Sequence, residues 1–328
     1  MMKAIVYESY GSPEVLQLRQ ISVPVPKTKE VLIKVHATTA TTAEGMMRRG
    51  EPALGRVVLG LRSPKRKVLG LELAGEIVAL GSSVRKFKAG DCVFGFTGFG
   101  CGGYAQYAVM PESGSIIAMP RNVSFAEAAA LVDGPTTALF FLREKAKIQS
   151  GQKVLIYGAS GSIGTAAVQL ARYFGAEVTG VCSTGNLELV TSLGAHHVID
   201  YTKEDFTKAA DTYDIIFDAV GKSSFSACKG SLKPGGRYLV TVMGWAPIAQ
   251  TVWTSCFGRK KAIFAMSVEK VAGLQFIKGL VEEGKLKPVV DRRYPMEQIR
   301  EAHQYVDTGH KRGSVVISVD HNEGPAPF

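Results

Sequence analysis

The sequence predicts an α/β protein in which a doubly wound parallel sheet is flanked along the chain by strand-rich segments that form a second domain. Three observations predict it. Strands and helices alternate from Lys153 to Ser267, short strands separated by Gly, Pro and Ser fill residues 1 to about 122, and the length of 328 residues favours two domains. Alternation of strand and helix builds a parallel sheet covered on both faces. Regularly spaced short strands instead suggest an antiparallel sheet or barrel. The expected division is 1–123 with 268–328, around a central 124–267.

In the first segment Lys3–Tyr7, Val31–Ala37, Glu72–Leu80, Cys92–Phe96 and Tyr104–Met110 read as strands. Near Pro120-Arg121-Asn122 the period changes. Ser124 is placed to cap a helix with Glu127 in the capping-box position, and the Ala-rich run beyond suits a buried helix. The central strands are Lys153–Gly158, Glu177–Cys182, His197–Tyr201, Tyr213–Val220, Arg237–Met243 and Lys261–Ala265. Between the first two, Ile163, Ala166, Ala167, Leu170, Ala171 and Phe174 keep the three-to-four spacing of an amphipathic helix. In the tail a helix near Glu269–Glu283 stops at Gly284, and another runs from Pro295 to Gly309. Ser314–Val319 then alternates like a strand, and residues 321 to 328 look frayed.

Composition, 46% hydrophobic and 21% charged, is ordinary for a soluble globular protein. The longest apolar stretches are broken by Gly, Asp or Lys well before ~20 residues, so no transmembrane helix is expected. The first residues run straight into Ile5-Val6-Tyr7 without signal or transit features, which makes a cytoplasmic location the expectation. Five scattered cysteines without a CxxC pair argue against a disulfide framework. The net charge is +10, and Arg56, Arg62, Lys65, Arg66 and Lys67 fall between Glu51 and Glu72 with no acid among them. Interleaved aromatics and a nucleic-acid-binding motif are lacking. A solvated loop, or a rim attracting an anionic cofactor, is therefore expected in preference to a nucleic-acid partner.

The chemistry-bearing stretch is VLIYGASGSIG, Val154 to Gly164. Gly158, Gly161 and Gly164 follow a strand and open a helix within a βαβ unit of about thirty residues. Gly161 would let backbone approach a pyrophosphate, and Gly164 would let the helix pack closely on the strand. Ser160, Ser162 and Ile163 surround a helix N-terminus whose N–H groups and partial positive charge suit phosphates. A dinucleotide is the expected ligand, against the bland alternative of a tight βα turn. A serine hydrolase would show G-x-S-x-G, and Ser160 is followed by Gly161-Ser162. A short-chain dehydrogenase would carry Tyr-x-x-x-Lys, and none of the eleven tyrosines has Lys four residues later. NAD-selective sites place an acid at the end of the second strand. Here Val181 to Asn186 has none, and the first acid is Glu188, already in the next helix. Ser183, Thr184 and Asn186 offer hydrogen bonds to a 2′-phosphate, which predicts NADPH (NADP) over NADH. No Lys or Arg lies between Arg172 and Lys203 to support that phosphate.

Several further stretches carry a family likeness: Val68-Leu69-Gly70-Leu71-Glu72-Leu73-Ala74-Gly75, Phe87-Lys88-Ala89-Gly90-Asp91, Gly102-Gly103-Tyr104-Ala105-Gln106-Tyr107 and Gly151-Gln152-Lys153-Val154-Leu155-Ile156. With them go the glycine loop, Leu193-Gly194-Ala195 leading to Val198-Ile199-Asp200-Tyr201, and Gly284-Lys285-Leu286-Lys287-Pro288. On these the chain resembles the zinc-lacking quinone-oxidoreductase-like branch of the medium-chain dehydrogenase/reductase superfamily, over nearly its whole length. The resemblance implies a GroES-like catalytic domain made of both chain ends around a Rossmann-type domain. Where zinc-dependent relatives carry Gly-His-Glu, this chain has Gly70-Leu71-Glu72, and the four-cysteine structural loop is missing. Catalytic zinc needs about three such ligands, so no metal is expected, and His36 is expected as a core or surface histidine.

The same resemblance implies hydride transfer from a nicotinamide to a quinone or an α,β-unsaturated carbonyl polarised by hydrogen bonds. Where relatives carry Asn-Pro-x-Asp and then Lys or Tyr, this chain has Thr41-Thr42-Ala43-Glu44 and Met46. The catalytic candidates are Thr41 as donor to the substrate oxygen, Glu44 and Arg48 as a structural or orienting pair, and Tyr104 lining the pocket. A solvated helix face is the bland reading of Arg48. Thr137 is implied beside the nicotinamide ribose and Tyr201 beside the 2′-phosphate. Val220, Gly221 and Ser314 complete the cofactor-binding set. Relatives commonly form homodimers through the sheet edge, so Lys261–Ala265 is expected to pair with a second copy. A second class of function fits the substituted Thr41 and Met46 and the charge: a dinucleotide-binding protein with vestigial catalysis and a structural, regulatory or RNA-associated role.

Overall fold

The computed structural model describes residues 1–268 and 270–321; Glu269 and most of the stretch expected to fray, 322–328, lie outside them. The chain divides into two compact units. One comprises Met1–Asp133, Glu269–Glu282 and Pro288–Phe328, the other Gly134–Val268 and Glu283–Lys287.

The first unit begins with an antiparallel ribbon of β1 (Met2–Val6) and β2 (Gln17–Ile21). Its main sheet contains β3 (Glu30–Ala40), β4 (Glu72–Leu80), β5 (Cys92–Phe96), β6 (Tyr107–Pro111) and β7 (Ser115–Ala118). The long β3 is the spine, with β4 and β6 both pairing antiparallel to it. Ile33 faces Ile77 in that register, and both side chains are fully buried.

After β7, Ser124 and Glu127 form the expected capping box at the start of helix Phe125–Ala130. A second helix, Asp133–Leu139, and a π-helical turn, Phe140–Lys145, follow. The divide between units falls after Asp133, later than expected, because the first of these helices packs on β3 and β4. The 21 residues Phe125–Lys145 are long and apolar enough to cross a membrane, but 72% of their apolar window is buried inside the protein. Asp133 and Gly134 interrupt this run, the kind of break expected from the sequence. Asp133 is paired with Lys270 Nζ at 2.7 Å, which removes the penalty its charge would otherwise impose on a buried helix.

The second unit is an all-parallel sheet of β8 (Lys153–Tyr157), β9 (Glu177–Cys182), β10 (His197–Asp200), β11 (Tyr213–Asp218), β12 (Leu232–Val240) and β13 (Lys261–Phe264). The order is β10-β9-β8-β11-β12-β13, so the winding reverses between β8 and β11. Ligands of open parallel sheets bind at the carboxyl ends of the strands at such a reversal. β12 starts at Leu232, earlier than the sequence suggests, since Leu232 already pairs with Tyr213 before the register shifts to Ile215 and Arg237. β13 is an edge strand, as expected of Lys261–Ala265.

The chain then returns to the first unit through helix Val271–Glu282, β14 (Val290–Pro295), helix Ile299–Asp307 and β15 (Ser314–Ser318). β15 pairs with the end of β3, completing the order β14-β15-β3-β4-β5-β7. The fold is α/β, with a Rossmann-type parallel sheet and a second, strand-rich unit.

Candidate functional site

The three loop glycines have three different physical reasons. Gly158 follows β8 with φ +79°, and a Cβ there would lie 2.5 Å from Val220 Cγ1, so the loop after β11 rests on this glycine. At Gly164 a Cβ would stand 2.1 Å from Gly158 O and 2.7 Å from Ala159 Cα, which makes it the close contact of helix and strand. Gly161 has an ordinary φ of −78°, and a Cβ would meet nothing nearer than Gly158 O at 3.6 Å. Neither conformation nor crowding requires glycine there. A bare Cα at that point is what a ligand passing close to the backbone requires. Gly161 is also the N-cap of helix Ser162–Tyr173, with no side chain capping it. The first-turn N–H groups and the positive end of the helix dipole suit an anion. The residues present therefore fit a dinucleotide pyrophosphate.

Val220 and Gly221 are positioned by Asp218, a residue that sequence reasoning missed. Its Oδ1 accepts from the N–H groups of Val220 at 3.1 Å and Gly221 at 2.7 Å. Its Oδ2 accepts from the Ser223 N–H at 2.9 Å and the Tyr238 hydroxyl at 2.9 Å. The available signal was an Asp-x-x-Gly at the end of a strand, where a carboxylate folds back on its own loop.

Beyond β9, Asn186 Nδ2 donates to Ser160 Oγ and to Ser183 Oγ, each at 3.1 Å. One buried amide thus ties the glycine loop to the end of the second strand. Thr184 has a different partner. Its hydroxyl donates to Asp200 Oδ2, so the proton predicted for a 2′-phosphate is spent inside the protein. Asp200 closes β10, in register with Cys182 at the end of β9. Hydrogen bonds from Thr184 and Thr202 hold its carboxyl below the usual carboxylate range, and Lys203 Nζ stands 3.7 Å away. The sequence placed the first acid at Glu188; the fold brings another, Asp200, to Thr184 from the neighbouring strand. Tyr201 is half-exposed and meets the Tyr157 ring edge-on at 6.4 Å. Thr137 is buried within helix Asp133–Leu139.

In the other unit, Thr41, Glu44 and Tyr104 come together, but inside the protein. Thr41 caps helix Thr42–Arg49: its Oγ accepts from the Glu44 N–H at 3.2 Å and donates to Glu44 Oε2 at 3.0 Å. Glu44 Oε1 accepts from the Leu71 N–H at 2.7 Å, and Oε2 also accepts from the Tyr104 hydroxyl at 2.9 Å. Burial pushes the Glu44 carboxyl up to about 7 in spite of these donors. The Tyr104 hydroxyl also lies 3.0 Å from His303 Nε2, and burial drives the His303 imidazole down to about 3. Three expectations are corrected. Tyr104 is fully buried and packed in the core instead of lining a pocket, because Glu44 and His303 both need its polar tip. Arg48 neither pairs with Glu44 nor lies on a solvated face. It is fully buried and forms an ion pair with Asp307, which also binds Arg49 at 2.8 Å. The Thr41 hydroxyl, expected to reach a substrate, is taken up by the capping box.

Residues 27–121 match the alcohol dehydrogenase GroES-like domain family, and residues 193–317 match the zinc-binding dehydrogenase family. A 2-methylene-furan-3-one reductase of Solanum lycopersicum is 35% identical over 96% of this chain and 79% of its own length. An NADPH-dependent alkenal/one oxidoreductase, chloroplastic, of Arabidopsis thaliana is 32% identical over 96% of this chain and 79% of its own. The structure of the quinone oxidoreductase from Coxiella burnetii superposes with a TM-score of 0.87 at 30% identity, covering 97% of this chain and 99% of that one. The chain belongs to the quinone-oxidoreductase-like branch of the medium-chain dehydrogenase/reductase superfamily.

Leu71 stands where the resemblance implies a histidine in zinc-dependent relatives. Leu71 is buried, and its N–H is bound by Glu44. Among the described residues no three His, Cys, Asp or Glu side chains converge as a metal would need. His36 stacks on Phe125 at 4.4 Å, the structural role expected of it. Ser314 heads β15, where its N–H donates to Val289 O, and so belongs to the GroES-like unit. That unit also holds a cavity of about 220 Å³ lined by Met47, Val58, Leu59, Phe99 and Cys101, with Lys65 and Arg66 beside them.

Proposed function

We propose that this chain is a metal-independent reductase of quinones or α,β-unsaturated carbonyls that prefers NADPH, working in the cytoplasm as a homodimer. The single observation that carries the reading is Gly161: a bare Cα at an uncapped helix start, needed by nothing in the protein itself. When bound there, the cofactor's nicotinamide supplies the hydride. The helix N–H groups hold the pyrophosphate, and the Asp218-built loop of Val220 and Gly221 borders it. The apolar cavity beside Met47 and Phe99 suits a small conjugated carbonyl, and Lys65 and Arg66 favour negative charge developing on its oxygen.

The substrate classes are supported by what the relatives are called: an alkenal/one oxidoreductase, a furanone reductase and a quinone oxidoreductase. A homodimer is supported by the open edge of β13 and by the helix that precedes it, Trp245–Phe257. That helix exposes Trp245, Val252, Trp253 and Phe257. A charge-free apolar surface beside an open strand favours burial against a second copy. All five cysteines are unpaired, as suits a reducing compartment.

One observation favours the second reading, a dinucleotide-binding protein without turnover. The hydroxyls of Thr41 and Tyr104, two of the catalytic candidates, are both engaged with Glu44. The deciding experiment is NADPH consumption with a quinone, an enal and an alcohol, before and after dialysis against a chelator. Turnover of the first two that survives the chelator supports the reductase; binding without turnover on any of them supports the second reading. Stoichiometric zinc whose removal abolishes activity overturns the metal-independent mechanism.

A further inference from the structure

The 2′-phosphate of NADPH carries only acceptors toward a protein, so its site must offer donors. The obvious ones are spent. Thr184 gives its proton to Asp200, and Lys203, the nearest cation along the chain after β9, stands against the same carboxylate. Ser160 and Ser183 remain, besides the half-exposed Tyr201 hydroxyl. Asn186 Nδ2 donates to both serine oxygens, and neither serine hydroxyl donates to another protein atom among the described residues. A hydroxyl that accepts on one side directs its own proton to the other. Asn186 is only 7% exposed, and its Oδ1 is buried without a partner. Both polar contacts that the side chain makes therefore run through its N–H groups.

We propose that Asn186 is a positioning residue that aligns the hydroxyls of Ser160 and Ser183 as a paired neutral donor for the 2′-phosphate. The inference rests on the dinucleotide reading of the glycine loop and deepens it. Recognition of NADPH then needs no arginine or lysine. Ser160 comes from the loop after β8 and Ser183 from the end of β9, and a single amide holds both within 3.1 Å. NADH, which has a hydroxyl in place of the phosphate, is still accommodated, because a serine oxygen can accept from it as well as donate.

The test is the dissociation constant of NADP⁺ and of NAD⁺ for the full chain, measured by calorimetry. Asn186→Ala is expected to weaken NADP⁺ by about five-fold or more and NAD⁺ by less than about two-fold. In a Ser160→Ala/Ser183→Ala background, Asn186→Ala should change the NADP⁺ to NAD⁺ ratio no further, as expected of a residue acting through those two. Asn186→Asp keeps the shape, but its carboxylate only accepts and draws both serine protons inward. It should lower the ratio more than alanine does, and it decides the matter if the alanine variant does not fold. Equal weakening of both dinucleotides, a full further loss in the double-serine background, or tighter NADP⁺ binding overturns the proposal. Wild type that binds neither dinucleotide overturns the reading of the loop itself.

Discussion

The Tyr104 hydroxyl donates to Glu44 Oε2 at 2.9 Å with both side chains fully buried, joining the capped start of helix Thr42–Arg49 to the interior of the GroES-like unit. On its other side the same oxygen meets His303 Nε2 at 3.0 Å, so one phenol satisfies two buried polar groups. Removing one partner from such a network leaves the other with its full desolvation cost. Tyr104→Phe is therefore expected to destabilise the chain by about 1–3 kcal/mol. The urea midpoint of unfolding should fall; an unchanged midpoint would mean the three groups do not depend on one another.

Glu44 and His303 make stability depend on pH in opposite senses. The Glu44 carboxyl is raised from 4.5 to about 7. Its contribution is fully present below 4.5 and is lost as pH rises through about 7. The His303 imidazole is lowered from 6.5 to about 3, so its contribution is present above 6.5 and is lost as pH falls toward 3. Glu44→Gln removes the first dependence alone. Relative to wild type, the variant should become progressively more stable from pH 5 to pH 8, read from urea midpoints at each pH. A constant difference between the two proteins would contradict the raised carboxyl.

The glycine loop predicts a contrast between neighbours. Gly164→Ala drives a methyl into Gly158 O and should cost about 1–3 kcal/mol of stability. Gly161→Ala has room within the protein and should leave the thermal midpoint unchanged while weakening dinucleotide binding at least about ten-fold. Binding that survives Gly161→Ala would remove the main support for a pyrophosphate there.

Cofactor preference can be reversed at one position. Ser183→Asp places a carboxylate where the 2′-phosphate is proposed to lie, at a cost on the order of a few kcal/mol for such like-charge contact. The ratio of kcat/KM for NADPH over NADH should fall below one. A ratio that does not move would place the phosphate elsewhere.

Phe264 closes the edge strand β13 and is half-buried. Phe264→Lys puts a charge on that edge, a device that discourages strand pairing. Light scattering should report a dimer for wild type and a shift toward monomer for the variant. Wild-type monomer at working concentration would refute the proposed assembly.

The sequence by itself determined whatever depends on local spacing. The strands from Glu177 to Cys182 and from Glu72 to Leu80 stand as their periodicity predicts, as does the Ser124–Glu127 capping box. The three glycines could be read in the same way, because a strand–turn–helix of fixed length allows few residues at each position. Only the tertiary structure decided the partners of charged and hydroxyl side chains. Arg48 meets Asp307 across 259 positions of sequence, and Thr184 meets Asp200 because two neighbouring strands end together. The reason is physical: helix and strand periods are set within a few residues by backbone geometry. A buried charge or hydroxyl must instead find a partner wherever the fold brings one, and sequence distance places almost no limit on where that is.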